Sequence, residues 1–409
     1  MVDAVDQLAD TVRIEGARIL ATLVRTVGSL PVAEDAIQDA IVSALREWPR
    51  SGIPSEPRAW LTLVARRKAI DVIRREATRG AKERDSADLL DLATADLPSD
   101  AAVRDDQLRL IFTCCHPALA TEAQVALALR TLCGLSTAQI AAVLLTTESA
   151  ISKRLTRTRR KIVAAHIPYR VPAPAELPNR LTAVCGVIHA LYTIGHAPIT
   201  GAAVVDVDVC AEAIRLGRLV VDLLPDEPQP TSVLALLLLT DARRLARADD
   251  VGDVVLLSDQ DRSVWNLEQI VEGWALLDSS LRRTRGIADP YQLQAAIAAE
   301  HGRSPSYAGT DWREIVRPYD LLLTVAPSAA VALNRAVAVA ESAGAAAGLA
   351  SLVSIAPSPR WHAVRGELLA RQGRYAEAVE ATTAALAGEL TAPERRYRER
   401  RLADWAGRA

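Results

Sequence analysis

The stretch STAQIAAVLLTTESAISKRLTRTRRKI, from Ser136 to Ile162, constrains this chain more than any other. Ser136 is placed to cap a helix, and Gln139 three residues later completes a capping box. Ile140, Val143 and Leu144 then recur at helical spacing, which predicts one buried face. Thr147 is the next N-cap, with Glu148 where the positive end of a following helix dipole favours an anion. The second helix is predicted to bury Ile151, Leu155 and Ile162. Its other face carries Ser149, Ser152, Lys153, Thr156, Arg157 and Arg160, with Arg154, Arg159 and Lys161 beside it. Six cations against the single acid Glu148 suit a helix lying along phosphates, and the short hydroxyl side chains suit base edges. Two capped helices joined by Leu145-Thr146-Thr147 read as a helix-turn-helix, although that turn lacks the glycine often found there.

At 409 residues the chain has room for two or three domains. Alanine and leucine dominate and no convincing strand alternation appears, so the predicted class is all-α. Residues 1–170 hold 24 Lys and Arg against 21 Asp and Glu, a net of +3. Residues 171–409 hold 24 Arg against 29 acids, a net of −5, and no lysine follows Lys161. That asymmetry predicts a nucleic-acid face in the first part and an acidic interaction or support module in the second. The longest apolar run, VLALLLL near residue 235, is far too short to span a bilayer, and MVDAVDQLAD lacks a signal-peptide pattern. With five scattered cysteines (Cys114, Cys115, Cys133, Cys185 and Cys210), these features predict a cytoplasmic protein with reduced thiols. Cys114-Cys115-His116 has no second ligand pair at zinc-site spacing and is predicted to pack a core; no metal or cofactor is expected.

Earlier in the chain, residues 12–28 form an amphipathic helix with Ile14, Ala17, Leu20, Leu23 and Val24 on one face. Pro31 opens a second, VAEDAIQDAIVSALREW, whose Ile37, Ile41, Leu45 and Trp48 are predicted to pack inward. Glu34, Asp35, Gln38 and Asp39 form an acidic patch, either first-turn acids matched to the helix dipole or a docking face for a basic partner. After the loop PRSGIPSEP comes RAWLTLVARRKAIDVIRRE, predicted to bury Trp60, Leu61, Val64, Ile70 and Ile73. It is predicted to display Arg58, Arg66, Arg67, Lys68, Arg74 and Arg75. An aromatic beside a cationic helix suits single-stranded DNA, though Trp60 reads equally well as core.

In this order, AEDAIQDAIVSALREW, PRAWLTLVARRKAIDVIRRE and the helix-turn-helix resemble regions 2 and 4 of an extracytoplasmic-function sigma factor. These are promoter-recognition subunits of bacterial RNA polymerase. The resemblance implies that Glu34, Asp35, Gln38 and Asp39 dock on the clamp helices of the largest polymerase subunit. It implies that the loop from Pro49 to Pro57 and the helix carrying Arg58, Arg66, Lys68, Arg74 and Arg75 recognise and melt the −10 element. The helix from Glu148 to Lys161 would enter the major groove at the −35 element, with Lys153, Arg154 and Arg157 as contacts. The implied partners are core RNA polymerase and promoter DNA, with no membrane and no catalysis by the chain itself. The sequence does not specify an anti-sigma partner.

The predicted division is region 2 over 1–80, an acidic linker over 81–103, region 4 over 104–166, a proline-rich linker over 167–178 and a helical extension over 179–409. Residues 83–106 contain eight acids against Arg84 and Arg104, the composition of a solvated tether. The resemblance adds that such a tether threads the polymerase cleft along the path of nascent RNA. In the extension, AVRGELLARQGRYAEAVEATTAAL resembles a tetratricopeptide repeat. Gly366, Gly373, Tyr375, Ala378 and Ala385 fall at its close-approach positions, although Pro393 arrives late. ALNRAVAVAESAGAAAGLASL reads as a degenerate neighbour, with Gly344 at its turn.

The segments DARR, LLSDQDRSVW, YQLQAAIAAEH, TDW and LNRA make the chain similar to the sigma-factor group with a tetratricopeptide-like extension. It departs at ALYTIGHAPITG, where that group shows an Asn-Glu-Gly-Tyr run and His196 stands in part of its place. The extension is expected to regulate or stabilise the factor. Two other readings stay open: a polymerase-independent helix-turn-helix regulator with a partner-binding repeat domain, and an all-helical enzyme built on Asp259, Asp261, Arg262 and His301. The second lacks a nucleophile-base arrangement, a phosphate-binding glycine loop and metal-ligand spacing.

Overall fold

Helices α1 (Val2–Val27), α2 (Leu30–Ser51) and α3 (Pro57–Arg79) open the chain in a computed structural model. It describes residues 2–79, 100–144, 146–197, 204–388 and 390–409. Extended Ser29 precedes α2, with Pro31 in its first turn where a missing N–H is harmless. The helix stops at Gly52, whose φ of +84° favours glycine and whose N–H reaches Trp48 O at 3.0 Å.

The inward face of α2 is an alanine ridge, Ala33, Ala36, Ala40 and Ala44, flanked by Leu30 and Trp48. Helix α2 packs against α1 and α3, in which Leu20, Leu23 and Val24 and Leu61, Ala65, Ala69 and Ile70 are buried. This corrects the predicted stripe: Ile37 and Ile41 are half-buried and Leu45 is 44% exposed. Small residues at a helix contact let the axes approach closely, and the larger side chains are then displaced to the flanks.

Helices α4 (Asp100–Cys114), α5 (Thr121–Thr131), α6 (Thr137–Val143) and α7 (Glu148–Ala164) follow. Leu110, Ile111, Phe112, Leu127 and Leu129 are fully enclosed among them. Buried Gln124 is satisfied by donating to His116 O (3.0 Å) and Leu119 O (2.8 Å). The five cysteines are buried and none is disulfide-bonded, and burial pushes the Cys115 thiol up to about 12. Residues 80–99, most of the predicted acidic linker, lie outside the described residues. Asp106, read as part of that tether, is instead fully enclosed in α4, 2.8 Å from Arg25 Nε and 3.1 Å from an Arg109 nitrogen. Two guanidiniums oppose its desolvation, yet burial still leaves its pKa raised.

The proline-rich segment is packed, not free. Ile167 and Pro172 are buried, and Tyr169 Oη lies 2.8 Å from Ala21 O and 3.0 Å from Asp106 O. Helix α8 (Leu177–His196) then sends Arg180 to Phe112 O at 2.5 Å. Accordingly the chain divides into compact units at 1–187 and 188–409, inside α8, beyond the proline-rich stretch.

The second unit continues through α9 (Val207–Leu223), α10 (Pro228–Asp241), α11 (Leu267–Arg283), α12 (Pro290–Arg303) and α13 (Trp312–Val325). Then come α14 (Ala329–Ala343), α15 (Ala345–Leu352), α16 (Pro359–Arg371), α17 (Tyr375–Leu386) and α18 (Ala392–Ala406). Helix α10, which contains VLALLLL, is apolar all round and is therefore buried all round. A Cβ on Gly273 of α11 would stand 2.6 Å from Leu239 Cγ, which fixes how closely α10 and α11 pack. Gly344 and Gly373, at φ +91° and +74°, join α14 to α15 and α16 to α17. Gly366 is where α16 and α17 meet: a Cβ there would lie 2.7 Å from Thr382 Oγ1, and Ala378 and Ala385 are wholly buried. The described residues contain no strand, so the fold is all-α. No helix among them is long and apolar enough to cross a membrane.

Candidate nucleic-acid interface

The helix-turn-helix forms through the local signals its sequence carries. Ser136 N–H donates to Gln139 Oε1 (2.9 Å) while Gln139 N–H donates to Ser136 Oγ (3.1 Å), closing the capping box. Ala150 N–H donates to Thr147 Oγ1 (3.2 Å), starting α7. Thr137 Oγ1 donates to Glu148 Oε1 (2.6 Å) and ties α6 to α7. Ile140, Ile151, Leu155, Thr158 and Ile162 are buried. Leu145 and the side chain of Val143 lie outside the described residues.

The outer face of α7 is as predicted from periodicity: Ser149, Ser152, Lys153, Thr156, Arg157, Arg160 and Lys161 are all exposed. Arg154 and Arg159 differ, being half-buried and held by acids of other helices. Arg154 lies 3.6 Å from Glu122, and Arg159 Nε lies 2.6 Å from Glu34 Oε2.

On α3, Arg67, Lys68 and Arg74 are exposed, and Arg58 is half-buried 3.9 Å from Glu15. The side chain of Arg75 lies outside the described residues. Arg66 corrects the predicted display: it is only 7% exposed. Thr62, Arg66 and Ile70 are successive residues of one inward face, four apart, so the helical repeat carries Arg66 under the surface. Burial first, and then the charge of Arg25, lowers its pKa. Trp60 is half-buried and packs edge-on to buried Trp48, with ring centroids 5.6 Å apart.

On α2, Asp35, Gln38 and Asp39 are exposed and Glu34 is half-buried. The helix begins at Leu30 with no acid in its first turn, which sets aside the dipole explanation for the patch. Beside these polar residues stand Val42 and Leu45, 43% and 44% exposed. Apolar side chains left exposed and rimmed by polar ones are a feature of protein-contact surfaces.

The acidic patch and the cationic helix, expected as separate surfaces, meet across a cleft of about 470 Å³. Pro31, Glu34 and Asp35 line one wall; Thr156, Arg159, Arg160 and Val163 line the other. Glu34 also receives a long 3.5 Å contact from Thr131 Oγ1. Asp259 and Asp261, proposed catalytic acids in the alternative reading, are exposed, and Asp261 Oδ1 accepts from Ser263 N–H at 2.8 Å. His301 packs instead against Trp312, centroids 5.4 Å apart.

These elements coincide with known families. Residues 12–79, spanning most of α1 through α3, match sigma-70 region 2, and residues 109–162, spanning α4 to α7, match sigma-70 region 4. Residues 180–281 match a family of unknown function, DUF6596. An uncharacterized protein of Rhizobium meliloti (strain 1021) is 42% identical over 386 residues, covering 92% of this chain and 91% of the relative. A probable ECF RNA polymerase sigma factor, SigI, of Mycobacterium tuberculosis is 31% identical over 175 residues, covering 42% of this chain and 59% of that protein. No solved structure matches. With region 2 and region 4 both in place, the chain belongs to the sigma-70 family: it is an RNA polymerase sigma factor that works with core polymerase on promoter DNA and carries the DUF6596 extension.

Proposed function

We propose that three faces of the first unit divide the work of initiation. Glu34, Asp35, Gln38 and Asp39, with Val42 and Leu45 beside them, dock on the clamp helices of the largest polymerase subunit. Arg58, Trp60, Arg67, Lys68, Arg74 and Arg75 take the melted −10 strand, where cations track the backbone and an aromatic ring stacks on a base. Ser149, Ser152, Lys153, Arg154, Thr156, Arg157 and Arg160 lie in the major groove at −35. Arg66 is left out of this set because it is buried.

The observation that carries the reading is the two-sidedness of α7. Ile151, Leu155, Thr158 and Ile162 are buried, while hydroxyls and cations line the solvent side. That matches a recognition helix, whose exposed side meets phosphates and base edges. In this reading Glu34 leaves Arg159, its partner across the cleft, when it docks on polymerase.

The second unit acts in this reading as a non-catalytic, tetratricopeptide-like helical array that regulates or stabilises the first, in a cytoplasmic protein. The decisive experiment is transcription in vitro with purified core polymerase and a promoter template. Promoter-dependent transcripts should appear only when the full chain is added, and a chain that copurifies with DNA but not with polymerase would sink the proposal.

A further inference from the structure

The second unit holds arginines that its own carboxylates do not neutralise. Arg243 follows α10 and opens the short 3-10 turn Arg244–Arg247. Its side chain is part-buried and makes no hydrogen bond or ion pair with another described residue. The neighbouring acid Asp241 is engaged elsewhere, by Gln269 Nε2 at 3.1 Å and Arg244 at 3.4 Å.

Two more guanidiniums belong to the same corner of the fold, and both are held by neutral groups. Arg247 ends the turn that Arg243 caps, and Arg262 opens a second 3-10 turn, Arg262–Val264, that packs against the first. Arg247 donates to His196 O and lies 3.1 Å from His196 Nδ1. Arg262 donates to His301 O (2.6 Å), Ser304 O (2.8 Å) and Thr310 Oγ1 (3.0 Å), and lies over the Trp265 ring with its carbon 4.8 Å from the centroid. Tyr192 and Tyr319 are the other groups whose charge Arg243 feels. The acid in reach of Arg247 is Glu394, and its carboxylate closes the capping box of α18 with Thr391.

Such an arrangement is unfavourable by itself. A guanidinium remains charged in essentially any protein environment, and enclosing one without a counter-ion is strongly destabilising. Here each cation adds to the others' difficulty. Burial, followed by the charge of Arg243, holds Arg262 below its usual pKa and Arg247 down at about 10. Burial and these arginines also keep His196 and His301 neutral, so neither imidazole is a further cation at neutral pH.

What the cluster lacks is an anion. Arg247 and Arg262 are fixed in advance by backbone carbonyls, so little ordering is left for a ligand to impose. We propose that Arg243, Arg247 and Arg262 form a binding site for an oxyanion, the carboxylate or phosphate group of a small molecule, with Arg243 as the free arm that closes on it. Guanidinium forks match both groups through paired N–H···O contacts.

The test uses the full-length chain in calorimetric titrations with sodium phosphate and, separately, sodium citrate, at ionic strength matched with sodium chloride. Thermal melts run in the same buffers. Saturable binding of at least one anion is expected, and which of the two binds separates a phosphate ligand from a carboxylate ligand. Arg243→Met should bind at least tenfold more weakly. In chloride alone it should melt no lower than the parent, because a charge without a partner has been removed, and it should gain nothing from the anion. Absence of saturable heat with both anions overturns the proposal. So does an Arg243→Met chain that binds like the parent, melts lower in chloride or fails to fold, since each would make Arg243 a structural contact. The readout is binding rather than transcription, so this proposal and the sigma-factor assignment stand or fall separately.

Discussion

Arg159 Nε lies 2.6 Å from Glu34 Oε2, so a residue of the recognition helix holds a carboxylate of the helix assigned to polymerase. Neither atom makes a hydrogen bond, which leaves a charge contact without the directionality of a strong bidentate pair. Such a contact can hold a resting arrangement and still yield to a competing partner.

Arg159→Ala should therefore tighten binding to core polymerase, because Glu34 no longer has to leave a partner. A half-buried pair of this kind is worth about 1 kcal/mol, or roughly fivefold in affinity. Fluorescence anisotropy of labelled protein titrated with core enzyme measures it. Unchanged or weaker binding would show that the pair does not compete with docking.

Arg157 is exposed on the outer face of α7 and forms no ion pair with an acid among the described residues. Arg157→Ala should weaken promoter binding while leaving polymerase binding intact. If Arg157 meets a phosphate, the slope of log affinity against log salt should fall by about 1. A footprint and salt slope identical to the parent's would remove Arg157 from the interface.

Acid should weaken the second unit before its carboxylates titrate. His196 and His301 are held down at about 2 and about 3, by burial first and nearby arginines second. An unfolded imidazole titrates near 6.5, so below that pH the unfolded chain takes up protons the folded chain refuses. Stability is thus full above about pH 6.5 and is lost progressively as pH falls toward 3, by up to about 1.4 kcal/mol per pH unit for each histidine. Urea melts at pH 7, 6 and 5 give the slope, and His301→Gln should flatten it. Melts that superimpose across this range would contradict the burial of both rings.

Gly348 of α15 has no room for a methyl group: a Cβ would lie 2.5 Å from Ala340 Cβ and 3.0 Å from both Ala336 O and Leu368 Cδ1. Gly348→Ala should destabilise the protein by about 2 kcal/mol, since overpacking outweighs alanine's better helix propensity. Equal or higher stability in denaturant melts would mean that α14 and α15 separate easily.

Truncation after Pro172 should lower the melting temperature of what remains. It removes Arg180, which donates to Phe112 O, and the buried side chains of Leu181, Val184 and Cys185. A truncated chain that melts with the parent and transcribes equally well would deny the extension any supporting role.

Much of region 4 was legible because its determinants are local. A capping box, an N-cap and the i, i+4 spacing of Ile151 and Leu155 act within a turn or two of helix. The alanine ridge of α2 was not, because alanine carries almost no hydrophobic preference and only the neighbouring helices reveal that smallness is wanted. Arg66 was misplaced for a related reason: charge suggested the surface, but its position in the helical repeat sets it beneath. The pairing of Glu34 with Arg159 joins residues far apart in the chain, which periodicity cannot relate. The arginine cluster of the second unit is hidden likewise: Arg262 stands beside Asp259 and Asp261 in the sequence, yet it donates to the carbonyls of His301 and Ser304.

Lys68 stands exposed on α3 and Lys153 and Lys161 on α7, while the chain after Lys161 contains no lysine at all. Acylating reagents directed at side-chain amines are therefore blind to the entire extension. Mass-spectrometric footprints of the factor, alone and on a promoter complex, would report how these two helices become shielded with no background from the last 248 residues.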